Sequence, residues 1–175
     1  MGAYRLDEIK ELAIYTWVST VTGITTIWDK PNATRPALPY ATLNILSRSP
    51  GSVGKADEIY KSADTFTYNF RKTITLSCNI YANNAYLALM ETLINSLELE
   101  TYRAGLRIAG FAIWGNSDPV DVSQLLDTKF EPRVSTDFFF SYNKEVDDEI
   151  GEIRKVTFGS DLGGFVNEET VDIEA

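Results

Sequence analysis

The chain has 175 residues, 44% of them apolar and 23% charged, with a net charge of −9 and no histidine. That length and balance predict one soluble domain with a buried core, while the missing histidine excludes serine–histidine or cysteine–histidine catalysis and any histidine-ligated zinc site. No apolar run approaches the roughly 18 residues of a membrane span, residues 1–10 hold no signal-peptide core, and the lone Cys78 allows no internal disulfide, so a cytosol-like compartment and no membrane partner are expected.

Residues 6–22 read as a helix, with Ile9, Leu12, Ala13, Thr16 and Trp17 recurring at three- and four-residue spacing. Asp7 and Glu8 lie in its first turn, where the helix dipole favours acids, and Gly23 is a left-handed stop. Trp17 is expected to anchor the core. Ile14, Tyr15 and Val18 fall on another face, left for a partner or for the rest of the domain.

A short strand at 24–28 breaks off at Asp29, and Pro31, Pro36 and Pro39 follow within nine residues. Proline fixes φ and cannot donate a ladder hydrogen bond, so 29–40 is expected to be a stiff, non-helical connector that aims the next strand, 40–47. Residues 51–57 are a polar turn and 58–70 a loose strand. The clearest strand is 72–81: Ile74, Leu76, Cys78 and Ile80 alternate with Thr73, Thr75, Ser77 and Asn79, one face apolar and the other wet, as in a half-buried antiparallel sheet.

Asn84 is a candidate N-cap for a helix over 85–97, whose stripe of Tyr86, Leu89, Met90, Leu93, Ile94 and Leu97 should pack on that apolar face. Residues 107–114 read as a strand, 115–119 as a turn, and 120–127 as one or two helical turns capped by Asp121. The strand 134–142 places Val134, Thr136, Phe138, Phe140 and Tyr142 on one parity. Residues 144–151 read as an acidic turn, 153–158 as the last strand, and 163–175 as an acidic tail, mobile until it docks. The expected organisation is a single domain over 1–162 followed by that tail. Its fold class is α+β: a mostly antiparallel sheet with two main helices packed on one face.

Charge is uneven along the chain. Residues 1–87 hold nine Lys/Arg against seven Asp/Glu, and residues 88–175 seven against eighteen. The acidic half excludes a tight nucleic-acid grip but not DNA passing nearby. Cys78 reads as a buried thiol, since nothing is present to activate it. The acids Glu145, Asp147, Asp148 and Glu149 form either a solvated hairpin tip or a hard-metal site. The second option would make the chain a metal-dependent hydrolase or nuclease. Gly51-x-x-Gly54-Lys55 lacks the spacing of a phosphate loop, and Asn32-Ala33-Thr34 is a sequon without secretory context. Pro36 to Pro39 contain a PxxP that runs straight into a strand, which favours a structural loop over an SH3 ligand. No cofactor is expected.

A helix ending Tyr15-Thr16-Trp17, then Gly23-Ile24, Ile27-Trp28 and Arg35-Pro36-Ala37-Leu38-Pro39-Tyr40 leading into a strand, resembles the tailed-phage neck or tail-terminator (tail-completion) proteins. The strand at 75–81, the helix at 85–97, Pro119, and Glu131-Pro132-Arg133 before the strand at 134–142 follow in the same order. The likeness spans roughly residues 8–158. The insert at 47–63 and the acidic tail depart from it.

The resemblance implies a tail-terminator-like structural virion protein with no catalysis. It implies a homo-oligomer, a hexameric ring that caps the tail tube, meets tube or sheath proteins and the head connector, and lets DNA pass through its lumen without sequence-specific binding. Such a ring would be assembled in the host cytoplasm and kept in the virion neck. Under that reading the candidates for subunit contacts are Trp28, Pro31, Arg35, Pro36, Leu38, Pro39, Tyr40, Arg133 and Phe139. The lumen candidates are Glu145, Asp147, Asp148 and Glu149, whose charge would repel the DNA backbone. A further alternative is a small host-partner binding module.

Overall fold

The structure is a computed structural model that describes residues 6–29, 34–49, 57–62, 65–126, 129–149, 155–162 and 165–172. In chain order the elements are α1 (Glu8–Thr22), β1 (Thr25–Trp28), β2 (Tyr40–Ser49), β3 (Asp57–Ser62), β4 (Thr65–Tyr81), α2 (Tyr86–Ser96) and α3 (Glu100–Ile108). They continue with β5 (Phe111–Asn116), β6 (Val120–Asp121), β7 (Gln124–Leu126), β8 (Lys129–Glu131), β9 (Arg133–Glu149), β10 (Lys155–Leu162) and β11 (Phe165–Asp172). Two compact units result: Met1–Val53 with Arg71–Asn143, and Gly54–Phe70 with Lys144–Ala175.

In the first unit, α1 begins at Asp7, whose backbone is extended and whose carboxylate accepts the Lys10 N–H at 2.9 Å. It ends at Gly23 (φ 66°), whose N–H donates to the Ser19 carbonyl. Glycine takes that left-handed conformation without a Cβ clash, as expected. Trp17 is buried as expected, and of the two options for Ile14 and Val18 the structure takes contact with the rest of the domain. Ile14, Trp17 and Val18 are in the core, while Ile9 and Leu12 are 72% and 62% exposed. Two apolar stripes compete on this helix, and the one on Ile14, Trp17 and Val18 meets the sheet.

The main sheet runs β1-β2-β4-β9-β5. β1 and β2 are parallel, with Thr25 opposite Tyr40 and Trp28 opposite Leu43. Parallel neighbours require the chain to run back before re-entering the sheet, which gives the proline-rich connector its length. Its last bond, Leu38–Pro39, is cis. β2 and β4 are antiparallel, with Leu43 opposite Cys78, as are β5 and β9, with Phe111 opposite Tyr142.

One sheet face carries Ala41, Leu43, Ile74, Leu76, Cys78, Ile80, Val134, Phe138 and Phe140 into a single core with Met90, Leu93 and Leu106 of the helices. Trp17 stands edge-on to Phe138 (5.2 Å, 85°) and to Phe140 (6.2 Å, 78°). This is an α+β fold with a mostly antiparallel sheet, and the described residues hold a short third helix, α3, beside the two main ones.

Several local expectations are corrected. Arg107 and Ile108 end α3, and the strand starts only at Phe111, after Gly110 at φ 83°. α2 starts from Ala85 (φ 60°) with no side-chain cap, so Asn84 does not cap it. Residues 120–126 form β6 and β7 rather than helical turns, so Asp121 caps no helix. Residues 144–149 continue β9 instead of turning. The wet face of β4 is largely covered, Ser77 and Asn79 each being 7% exposed.

In the second unit, β3 and β4 pair antiparallel, with Asp57 opposite Asn69, and the Thr67 hydroxyl donates to Asp147 at 2.6 Å. β10 and β11 form an antiparallel hairpin with Leu162 opposite Phe165. Residues 165–172, read from sequence as part of a tail, are therefore a strand.

Candidate functional site

The two proline-flanked stretches singled out in the sequence meet in space. Arg35 Nη1 lies 3.1 Å and 3.4 Å from the two carboxylate oxygens of Glu131, and that carboxylate holds the Arg35 guanidinium above its ordinary value. Arg133 donates from Nε and Nη2 to Asn79 Oδ1 at 3.1 Å and 2.8 Å, and its guanidinium lies 5.2 Å over the Tyr81 ring. Tyr81 stacks on Tyr40 at 4.6 Å and 12°. Burial, then the neighbouring Tyr81, push the Tyr40 hydroxyl up. Guanidinium faces suit such stacking, and the cluster covers the polar side of β2 and β4.

The same contacts brace a hairpin. Among the described residues β7 and β8 pair only with each other, with Leu125 opposite Phe130. Their base is tied down from both sides. Arg35 holds Glu131, the Ser123 hydroxyl accepts the Arg133 N–H at 2.9 Å, and the Val122 N–H donates to the Arg133 carbonyl at 2.9 Å. The Asp121 carboxylate accepts from the Ser123 N–H at 2.9 Å, the Ser123 hydroxyl and the Tyr86 hydroxyl, which hold it below its ordinary value. An isolated two-stranded hairpin is marginal in water, and this one is held at its root. Its cross-strand apolar pair remains outside, Leu125 71% and Phe130 62% exposed.

A second apolar feature lies between α1 and α3. Ile9, Leu12, Ala13, Thr16, Tyr102, Gly105 and Ile108 line an open groove of about 440 Å³. Ile108 is 88% exposed. A Cβ at Gly105 would meet nothing within 4 Å. Single exposed apolar side chains are ordinary, but a contiguous set on two helices marks a contact surface. Both features can bury apolar surface against another protein, and neither brings together groups for catalysis.

The expected contact residues divide. Leu38 and Pro39 are exposed, Pro36 is half-buried, and Arg35 is exposed but paired with Glu131. Tyr40 is buried, and Trp28 packs half-buried against the core. Arg133 is engaged by its own chain. Phe139 is half-buried under Trp114, stacked at 5.0 Å and 25°, and Trp114 itself is 61% exposed. Pro31 lies outside the described residues, as do the Gly51–Lys55 stretch and Asn32-Ala33 of the sequon.

Glu145, Asp147 and Asp148 are exposed on β9. Strand alternation puts the first two on one side and the third on the other. Among the described residues no three His, Cys, Asp or Glu converge to hold a metal ion.

Sequence reasoning missed Ile9, Leu12, Ile108, Leu125 and Phe130 as surface groups. The first two share their helical spacing with Trp17, and spacing alone does not tell which of them stay outside. The sequence between Leu126 and Lys129 carries no Asn-Gly or Asp-Gly signal of the kind that announces a tight turn.

A family model described as phage neck terminator protein matches residues 11–164. No curated protein matches the chain.

Proposed function

The chain belongs to the phage neck terminator family, and from that premise we propose that it assembles as a ring, of six copies, at the head-proximal end of the tail. It is a structural component of the phage neck. In the proposed arrangement the ring stops growth of the tail tube, docks to the head connector and lets DNA pass through its lumen. Assembly takes place in the host cytoplasm and the product stays in the virion. The role is non-catalytic.

The family match over residues 11–164 carries this reading. The exposed apolar surfaces on α1, α3 and the β7–β8 hairpin support it, because a subunit of a closed ring needs two contact patches. The candidates Leu38 and Pro39 belong to the proposed contact set. Glu145, Asp147 and Asp148 are proposed to face the passing DNA, where like charge lets the duplex slide. Among the described residues no helix is long and apolar enough to cross a membrane.

Imaging tests the proposal directly. Purified protein is added to tails assembled without it, and negative-stain micrographs are taken of the tube ends. A ring-shaped cap at one end of each tube, with tubes of uniform length, is the expected result. Bare ends and unchanged lengths at saturating protein would overturn it.

A further inference from the structure

We propose that the β7–β8 hairpin of one copy seats in the α1–α3 groove of the next, so that this knob and this groove form the repeating contact of the assembly. The inference rests on the ring reading above and adds which surfaces meet and in what order.

Distance along one strand carries the argument. The hairpin is rooted at the start of β9, where Asp121 pairs with Val134 and Val122 bonds Arg133. The groove extends along β9: Trp17 in its lining stands edge-on to Phe138, and its Ile9 end reaches toward Tyr142. Lys10, between Ile9 and Leu12 on α1, places its ammonium 5.4 Å from the Tyr142 ring. Ile108 lies three residues before Phe111, which faces Tyr142 across the ladder. From Val134 to Phe138 is four steps of extended chain, about 13 Å, and to Tyr142 eight steps, about 26 Å. The hairpin's base is fastened by Arg35, Ser123 and Val122, and its Leu125 and Phe130 stay exposed while the groove of the same copy stays open.

Knob and groove do not cover each other within a copy, but they can between copies. The contact is head-to-tail, using different patches on the two partners. Such contacts close into rings when the rotation allows, whereas a self-complementary patch stops at a dimer.

The area is sufficient. Ile9, Leu12 and Ile108 on one side, with Val120, Leu125 and Phe130 on the other, are between 55% and 88% exposed. At about 100 Å² of apolar surface each, they supply about 600 Å². Apolar atoms make up a little over half of an interface, so the whole contact buries about 1,000 Å², the size at which specific association begins. The groove of about 440 Å³ has room for two large side chains. Small residues, Ala13 and Gly105, line it and let another backbone approach.

Cysteine cross-linking of the full-length protein tests the contact, and the native Cys78, fully buried, does not interfere. Leu12→Cys and Leu125→Cys are made singly and together, and oxidised on tail tubes. The double variant should give a ladder of covalent oligomers. Neither single variant should cross-link to itself, and an equal mixture of the two should stop at a dimer. Self-linking of either single variant would overturn the head-to-tail order. A double variant that caps tubes like the wild type yet stays monomeric after oxidation would overturn the contact while leaving the ring standing. Cross-linking of Leu12→Cys to a tube protein instead would assign the groove to that partner and overturn the contact too. A wild type that never caps tubes would overturn the ring reading, and this contact with it.

Discussion

Trp17 and Ser96 lie 79 positions apart in the chain, and the indole N–H of one donates to the hydroxyl of the other at 2.9 Å inside the core. Ser96 passes the bond on to the Leu93 carbonyl at 2.6 Å. The pair locks α1 to α2 while Trp17 presses edge-on against Phe138 and Phe140. Trp17→Ala should cost about 3–5 kcal/mol through the cavity it leaves. Ser96→Ala should cost about 1–3 kcal/mol by stranding the indole N–H. In urea melts the double variant should lose less than the sum, because both remove the same bond.

Gly23 and Ala85 both adopt positive φ, at 66° and 60°. Opposite outcomes are expected. Gly23→Ala meets no side chain within 4 Å, yet it should cost about 1 kcal/mol in backbone strain. Ala85→Gly should raise stability by up to about 1 kcal/mol, the relief of that strain exceeding the added freedom of the unfolded chain. Thermal melts of the two variants should shift in opposite directions.

The Thr136 hydroxyl is buried in the main core without a hydrogen-bond partner among the described residues. Thr136→Val keeps the β-branched shape and removes the orphan group. It should stabilise the protein by about 1 kcal/mol in denaturant titration.

Asp7 links pH to the start of α1. Partial burial works to raise its carboxyl, but the hydrogen bonds and charge of Lys10 outweigh it and hold the group below its ordinary value of 3.8. A depressed carboxylate stabilises fully above its unfolded value, and the contribution fades as pH falls through the folded one. Asp7→Ala should therefore cost about 1 kcal/mol at neutral pH. The gap between variant and wild type should narrow as pH drops below 3.8. Parallel urea melts across that range measure it.

Burial pushes the Cys78 thiol up to about 12. At neutral pH it is protonated as well as shielded, so an aromatic disulfide reagent should label it only as fast as the protein opens. Labelling rates should rise with urea in step with unfolding followed by fluorescence. Rapid labelling of the native protein would contradict its placement opposite Leu43.

Much of the fold was legible because strand alternation is unambiguous where one face is buried. Ile74, Leu76, Cys78 and Ile80, and likewise Val134, Phe138 and Phe140, sit in the core as their parity requires. Gly23 and Trp17 were legible for similarly local reasons. The buried face of α1 was not, because Ile9–Leu12 and Ile14–Trp17–Val18 both have helical spacing and only the sheet decides between them. α3 was hidden by its polarity, Leu106 alone being buried. The covering of Asn79 depends on Arg133 reaching across from β9, a partnership between residues 54 positions apart. The contact surfaces were the least legible. An exposed leucine and a core leucine look alike until the fold shows what lies beside them.

β9 also works as a ruler. Eight steps of it separate Val134, at the root of the hairpin, from Tyr142, opposite Phe111. The residues of this stretch alternate between core and outer face, so the strand sets a phase as well as a length. Adding two residues would lengthen the stride by about 7 Å and preserve the phase. Adding one would turn every later side chain to the wrong face. Changes in the length of β9 are thus open to this fold only in even steps.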